Sequence, residues 1–271
     1  MTNLKAAKPS LYIFMIFVSL VFAFPFFWMI SAATNPSVEI VKGKILPGTY
    51  LIENLKNLFS SRPTAMILVN SLRNALVGTA ASLFICSMAG YGFQVYRNKA
   101  KDRLMSILLL SMMVPFATVM IPLFRTFSQL RLLNTTIGVI LPFVATAFLI
   151  FFFRQSTMSF PLEIVQAARV DGMGEFGIYL RVYMPIMAPT FGAAAIVTFM
   201  NYWNNFLWPL IILQQEGSRT MPLLLSGLIV GYVLDYGMIM TAVLIFTIPT
   251  IAIFISQQKR FVVGILGSVK G

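Results

Sequence analysis

The stretch PLEIVQAARVDGMGEFGIYLRVYMPIMAP, residues 161–189, decides how the rest of the chain is read. It opens on Pro161, and proline in a first turn starts helices well. The residues up to Val170 are mostly good helix formers. Asp171 and Gly172 then break the pattern, because glycine takes the left-handed conformation that ends a helix. A second helix is predicted from about Gly174. In it Phe176, Tyr179, Leu180 and Tyr183 fall at i, i+3, i+4 and i+7 and share one aromatic and apolar face. Pro185 restricts the residue before it and marks the entry to the next apolar run. Two short helices bent at a glycine would therefore project an apolar face. They would form either a hairpin lying on a membrane surface or a plug for a partner's groove, and periodicity alone does not choose.

Outward from this loop, taken as residues 154–185, the chain is a series of apolar runs. A helix needs about 20 residues to cross the hydrocarbon core. The runs are Leu11–Ala33, Leu72–Tyr96, Leu104–Phe124, Thr136–Phe153, Ile186–Leu213 and Val233–Ser256. The first is too long for a signal-peptide core and is read as a retained span. The expected class is all-α: one polytopic membrane domain over residues 1–271, with six transmembrane helices. Six spans put both termini on one side. With the N-terminus inside, 12 of the 20 Lys and Arg residues fall on the inner side and 8 outside. The bias is clearest in the short loop from Arg97 to Arg103, where the positive-inside rule works best, so the orientation is N-in and C-in. Thr34 to Asn70 is expected as a long outer loop, with Pro36, Pro47 and Pro63. Met221 to Tyr232 is apolar but too short to cross, and suits a re-entrant or interfacial helix.

Composition agrees. Of 271 residues, 58% are hydrophobic and 10% are charged, where a soluble domain carries about 25% charge. Mean hydropathy is +0.85. There is no histidine, which removes the Ser-His triad, the imidazole shuttle and the histidine metal ligand. The single cysteine, Cys86, excludes an intramolecular disulfide and any multi-cysteine metal site. No phosphate-binding Gly-x-x-x-x-Gly-Lys-Ser/Thr loop is present, so ATP has no evident site on this chain. The net charge of +12 reflects membrane topology; with no basic stripe on a polar domain, nucleic acid is not an expected partner.

Within the spans, four features stand out. Gly78, Ser82, Cys86 and Gly90 are spaced by four and line one helix face, and small faces let helix backbones approach closely in lipid. Cys86 is read there as a packing residue. Asn201, Asn204, Asn205 and Trp208 fall at i, i+3, i+4 and i+7. Amides in lipid need partners, so this face either lines a pathway or bonds neighbouring helices. Asp235 stands at the start of the last span, where a carboxylate is stabilised by the helix dipole. Pro25, Pro115, Pro122, Pro142, Pro209 and Pro249 lie within spans and are expected to kink them.

The loop also carries a resemblance. Gln166, Ala167, Ala168, Asp171, Gly172 and Pro185 resemble the EAA loop of binding-protein-dependent ABC importer permeases: Glu-Ala-Ala, an Asp-Gly two residues on, and a Leu-Pro about twelve residues further. Gln166 stands for the usual Glu and Met184 for the usual Leu. Asn70 with Ser71, AGYGF at 89–93, Trp203 with Asn204, Asp235 with Gly237, and the tail GILGSVKG at 264–271 are similar to the carbohydrate-uptake branch, specifically its smaller, maltose-type permease subunit.

The resemblance implies the type I ABC importer permease fold in a bacterial inner membrane, with no enzymatic activity and no cofactor on this chain. It implies a second permease subunit in a heterodimer, an ATPase dimer holding ATP and Mg, an external sugar-binding protein and a sugar substrate. The bent loop would sit in a cleft of one ATPase, with Phe176, Tyr179 and Tyr183 filling it. The tail, about 257–271, would reach the ATPases through Gly264, Gly267, Lys270 and Gly271. A secondary carrier or channel for small polar solutes, working without an ATPase, is the alternative.

Overall fold

The computed structural model describes residues 9–230 and 234–267, the side chains of Ser10 and of 257–267 excepted. Among the described residues every regular element is helical: α1 (Pro9–Ala33), α2 (Ser37–Val41), α3 (Leu51–Ser61), α4 (Thr64–Val95), α5 (Lys99–Ser111), α6 (Phe116–Gln129), α7 (Thr136–Ile140), α8 (Ala147–Thr157), α9 (Leu162–Val170), α10 (Glu175–Ile178), α11 (Met184–Ile186), α12 (Ala188–Trp203), α13 (Leu207–Ile212), α14 (Met221–Leu228) and α15 (Tyr236–Gly267). Three helices are long and apolar enough to cross a membrane, or six if each of three bent pairs is one span.

The unbroken spans are α1, α4 and the first part of α15, and the helices continue past Pro25 and Pro249. The other three expected spans are broken. Leu104–Phe124 is not one rod: α5 and α6 meet at 95°. The break falls at Met112–Pro115, because proline pushes its preceding residue, Val114, out of the helical region. The fourth expected span is bent by 53° between Thr136–Phe143, which ends in the 3-10 turn Leu141–Phe143, and α8, the break falling at residues 144–146. Thr146 restarts the helix by accepting a hydrogen bond from the Leu149 amide at 3.4 Å. The fifth span is interrupted between α12 and α13 at Asn204–Phe206. Residues 34–70 are not an irregular loop, since α2, α3 and the start of α4 lie within them.

The chain resolves into two compact units, one of residues up to Thr64 with Leu224–Pro249, the other of Ala65–Leu223 with the segment from Thr250 onward. In the first, Asn54 is buried and its amide donates to the carbonyls of Ala33 (2.9 Å) and Asn35 (3.0 Å). These bonds fasten α3 to the end of α1. Asp235 caps α15: its Oδ1 accepts from the Met238 amide at 3.0 Å and from the Ser37 hydroxyl at 2.7 Å. Asp235 is thus a helix cap, as the dipole argument expects.

The second unit is organised by α4. Its small-residue face is filled by other helices of the same unit. A Cβ on Gly78 would lie 2.7 Å from the Tyr202 ring, and one on Gly90 would lie 2.6 Å from Phe153 Cβ. The Ser82 and Tyr202 hydroxyls are 3.0 Å apart. Cys86 is wholly buried and packs with Phe153, Leu149, Ile150 and Ala194. The stripe is therefore a packing seam, and the helices touch where only small residues allow it.

Candidate functional site: the bent hairpin and an amide-lined cavity

The hairpin forms as local chemistry dictates. Pro161 precedes α9, and Asp171 closes it. Gly172 has φ +79°. The Gly172 amide donates to the Arg169 carbonyl and the Met173 amide to the Ala168 carbonyl, both at 3.0 Å. This is the paired-bond ending that a left-handed glycine makes possible, and Met173 packs against the apolar cluster to which Ala168 belongs. The two alanines therefore differ: Ala168 is buried, Ala167 exposed, and Gln166 and Asp171 are exposed with it.

Beyond Gly174 the expected face is not the observed one. After α10 the backbone widens into a π turn over Tyr179–Tyr183. The inward residues are Ile178, Tyr179, Tyr183 and Met187, all buried. Phe176 and Leu180 stay exposed. Tyr179 and Tyr183 thus do not offer themselves to a partner's cleft. They stack on each other (5.8 Å, 23°) and pack against Tyr91 of α4 at 5.7 and 4.7 Å. The reason is hydrogen bonding as much as area, since buried phenols seek partners. The Tyr179 hydroxyl lies 2.7 Å from that of Ser87, and the Tyr183 hydroxyl 2.7 Å from that of Thr157. The hairpin is bolted to α4 and α8 by these two contacts. Of the expected docking aromatics only Phe176 faces outward, at 58% exposure, and Val170 on the other side of the bend is 88% exposed. Val170 escaped the periodicity argument because it ends α9 and so has no i+3 or i+4 partner in that helix.

A charged clasp closes the hairpin. Arg169 donates to Glu175 at 2.6 Å, the Tyr96 hydroxyl also bonds Glu175, and the Arg169 guanidinium lies 5.5 Å from the Tyr96 ring centroid. The Arg169 hydrogen bond, then that of Tyr96, holds the Glu175 carboxyl below its ordinary value. Nearby, Asp102 pairs with both Arg97 and Arg154. Pro185 lies in α11, after which the chain turns by 82° at Met187 into α12.

The other expected site divides. Asn201 and Asn205 line a cavity of about 210 Å³ with Thr146, Thr198, Tyr202, Phe143 and other apolar residues. Asn204 is exposed and does not line it. Trp208 is not on this face: it is wholly buried, its indole donates to the Gly138 carbonyl at 2.9 Å, and Phe116 and Phe127 meet it edge-on. The i+7 extrapolation fails because α12 ends at Trp203 and the helical phase is not carried to α13. Among the described residues no side chain bonds the amides of Asn201, Asn204 or Asn205. Of the expected tail residues, Gly264 and Gly267 fall within α15, while Lys270 and Gly271 lie outside the described residues.

Among the described residues, the helices, the broken spans, the bent hairpin and the partly amide-lined cavity suit a membrane subunit of a transporter. The chain belongs to the family described as binding-protein-dependent transport system inner membrane component, whose model matches residues 82–265. It is thus a permease subunit of an ABC importer and not an enzyme, hydrolysis being the work of a separate chain. It is 42% identical to the lactose transport system permease protein LacG of Rhizobium radiobacter, over 100% of both chains. It is 37% identical to the arabinooligosaccharides transport system permease protein AraQ of Bacillus subtilis, over 97% of this chain and 95% of that one. The fold is shared with a chain from the crystal structure of a bacterial ABC transporter involved in the import of the acidic polysaccharide alginate. The TM-score there is 0.82 at 19% identity, over 96% of this chain and all of that one.

Proposed function

We propose that this chain forms half of the translocation pathway of a saccharide importer in the bacterial inner membrane, paired with a second, homologous permease. Relatives named for lactose and arabinooligosaccharide transport, matched along nearly their full length, support the substrate class. The observation that carries the pathway role is the cavity lined by two amides, Asn201 and Asn205. Amides donate to and accept from hydroxyls, and an aromatic ring beside them suits sugar C–H faces.

The hairpin is the coupling element, docking on one of two ATPase subunits that hold ATP and Mg. Its docking surface is Val170, Phe176 and the exposed Gln166, Ala167 and Asp171. The load then passes inward through Tyr179 to Ser87 and through Tyr183 to Thr157. A hairpin fastened at two hydroxyl pairs moves with α4 and α8 rather than sliding on them. Closure of the ATPases would thus rock these helices as a rigid body and alternate the access of the pathway. The N-in, C-in orientation puts the hairpin on the cytoplasmic side, and the tail at 264–271 on the same side.

Purification of the chain from its native membrane with its partners, followed by reconstitution, tests this. ATP-dependent uptake of lactose or arabinotriose in the presence of the binding protein is expected, with an ATPase and a second permease in the complex. Uptake by the chain alone, without ATP, would refute the reading in favour of a secondary carrier.

A further inference from the structure

The cavity beside Tyr202 is built where two spans are broken. Thr146 lies in the break of the fourth span, and Asn205 in the interruption between α12 and α13. Irregular backbone at membrane depth is tolerated where it lines a cavity. The last two turns of α12 add Thr198 and Asn201 to the lining.

Thr198 carries the argument. It is only 7% exposed. A threonine inside a helix commonly gives its proton to the carbonyl four residues back, as Thr157, Thr241 and Thr247 do at 2.6, 2.8 and 2.8 Å. Thr198 makes no such bond to Ala194, and among the described residues nothing else bonds its hydroxyl. Nor is that hydroxyl walled off by protein, as those of Thr79 and Thr220 are. It opens on the cavity that Thr198 lines. Thr146 is half committed: its Oγ1 accepts from the Leu149 amide at 3.4 Å, which leaves its own proton to give.

The rest of the wall is aromatic, apolar and uncharged. Phe143 and Tyr202 meet edge-on with ring centroids 6.4 Å apart. The Tyr202 hydroxyl is engaged by Ser82 and the Ile140 carbonyl, and neither residue lines the cavity. Tyr202 therefore offers its ring and not its hydroxyl. No Lys, Arg, Asp or Glu is in the lining, so an anion would shed its water with no cation to face. A neutral hydroxyl both gives and accepts, and so matches threonines and amides alike. At about 210 Å³ the cavity is smaller than the roughly 300–1,000 Å³ typical for drug-sized ligands, so it takes one ring at a time.

We propose that Thr198 and Thr146 join Asn201 and Asn205 in holding one uncharged sugar ring, and that this cavity turns away sugar acids and sugar phosphates. The proposal deepens the saccharide-import reading and rests on it. Saturation-transfer NMR on the reconstituted complex, without the binding protein, reads the binding of galactose and arabinose directly. Thr198→Val keeps the shape and loses the hydroxyl. It should raise the half-saturating concentration of the tighter sugar about three- to tenfold, the worth of one hydrogen bond. Thr198→Ser, which keeps the hydroxyl, should stay near wild type. Galacturonate and galactose 6-phosphate should compete at least about tenfold more weakly than galactose. Unchanged binding in Thr198→Val overturns the proposal, and so does equal weakening in the Val and Ser variants. Competition by the two anions on a par with galactose also overturns it, and that comparison needs no variant. ATP-driven lactose uptake by a complex that binds neither sugar would overturn the subsite and leave the import reading standing. Uptake of no saccharide would overturn both.

Discussion

Replacing Gly172 separates what the hairpin's backbone needs from what its surface needs. A Cβ at this position would meet nothing within 4 Å, yet φ is +79°. The cost of a side chain is therefore conformational and not steric. For alanine the left-handed conformation costs about 1–2 kcal/mol, a factor of about 5–30 in the ratio of bent to unbent hairpin. Asparagine and aspartate tolerate this region better, whereas a β-branched residue is a true outlier there. Opposing the strain are the two hydrogen bonds that close α9, each worth about 0.5–1.5 kcal/mol, and the Arg169–Glu175 pair. ATP-driven uptake by the reconstituted complex should fall in the order Gly, Asn, Ala, Val. Gly172→Asn should stay near wild type, and Gly172→Val should bind ATP without transporting. Gly172→Asp should sit close to Gly172→Asn. Equal uptake by all variants would refute the need for the bend. If Gly172→Asn fell as far as Gly172→Val, the exposed surface rather than the backbone would be what matters.

Three further outcomes follow from other contacts. Tyr179→Phe and Ser87→Ala should each lower the thermal stability of the complex. Their double mutant should be less damaged than the sum of the two, by about 0.5–1.5 kcal/mol; strict additivity would show the hydroxyl pair to be idle. The lowered carboxyl value of Glu175 makes its bonds to Arg169 and Tyr96 stabilising above the ordinary carboxylate range, about 4.3. That contribution is lost as pH falls through the lower folded value, so the melting-temperature gap between wild type and Glu175→Gln should close on acidification, and a gap constant with pH would contradict it. Trp208→Phe should reduce stability by removing the bond to Gly138 while leaving the ranking of transported sugars unchanged; an altered ranking would return Trp208 to the pathway.

Much of the hairpin was legible because its determinants are local. Proline, helix formers and an Asp-Gly pair specify start, length and stop within a dozen residues, and α9 with Gly172 at φ +79° is the result. The same holds for the stripe of Gly78, Ser82, Cys86 and Gly90, whose spacing implies close contact with something, and for Asp235 as a cap.

The sequence by itself determined that the chain is helical, membrane-bound and bent at a glycine in one exposed loop, because periodicity, run length and turn chemistry act over a few residues at a time. Tertiary structure decided which face of each helix is spoken for. Tyr179 and Tyr183 turn inward because hydroxyls 92 and 26 residues away in sequence accept or give their protons, and a π turn shifts the phase to allow it. Trp208 leaves the amide face because α12 ends before reaching it, and its indole finds a carbonyl 70 residues away. Such pairings depend on distances across the fold, which no local pattern encodes.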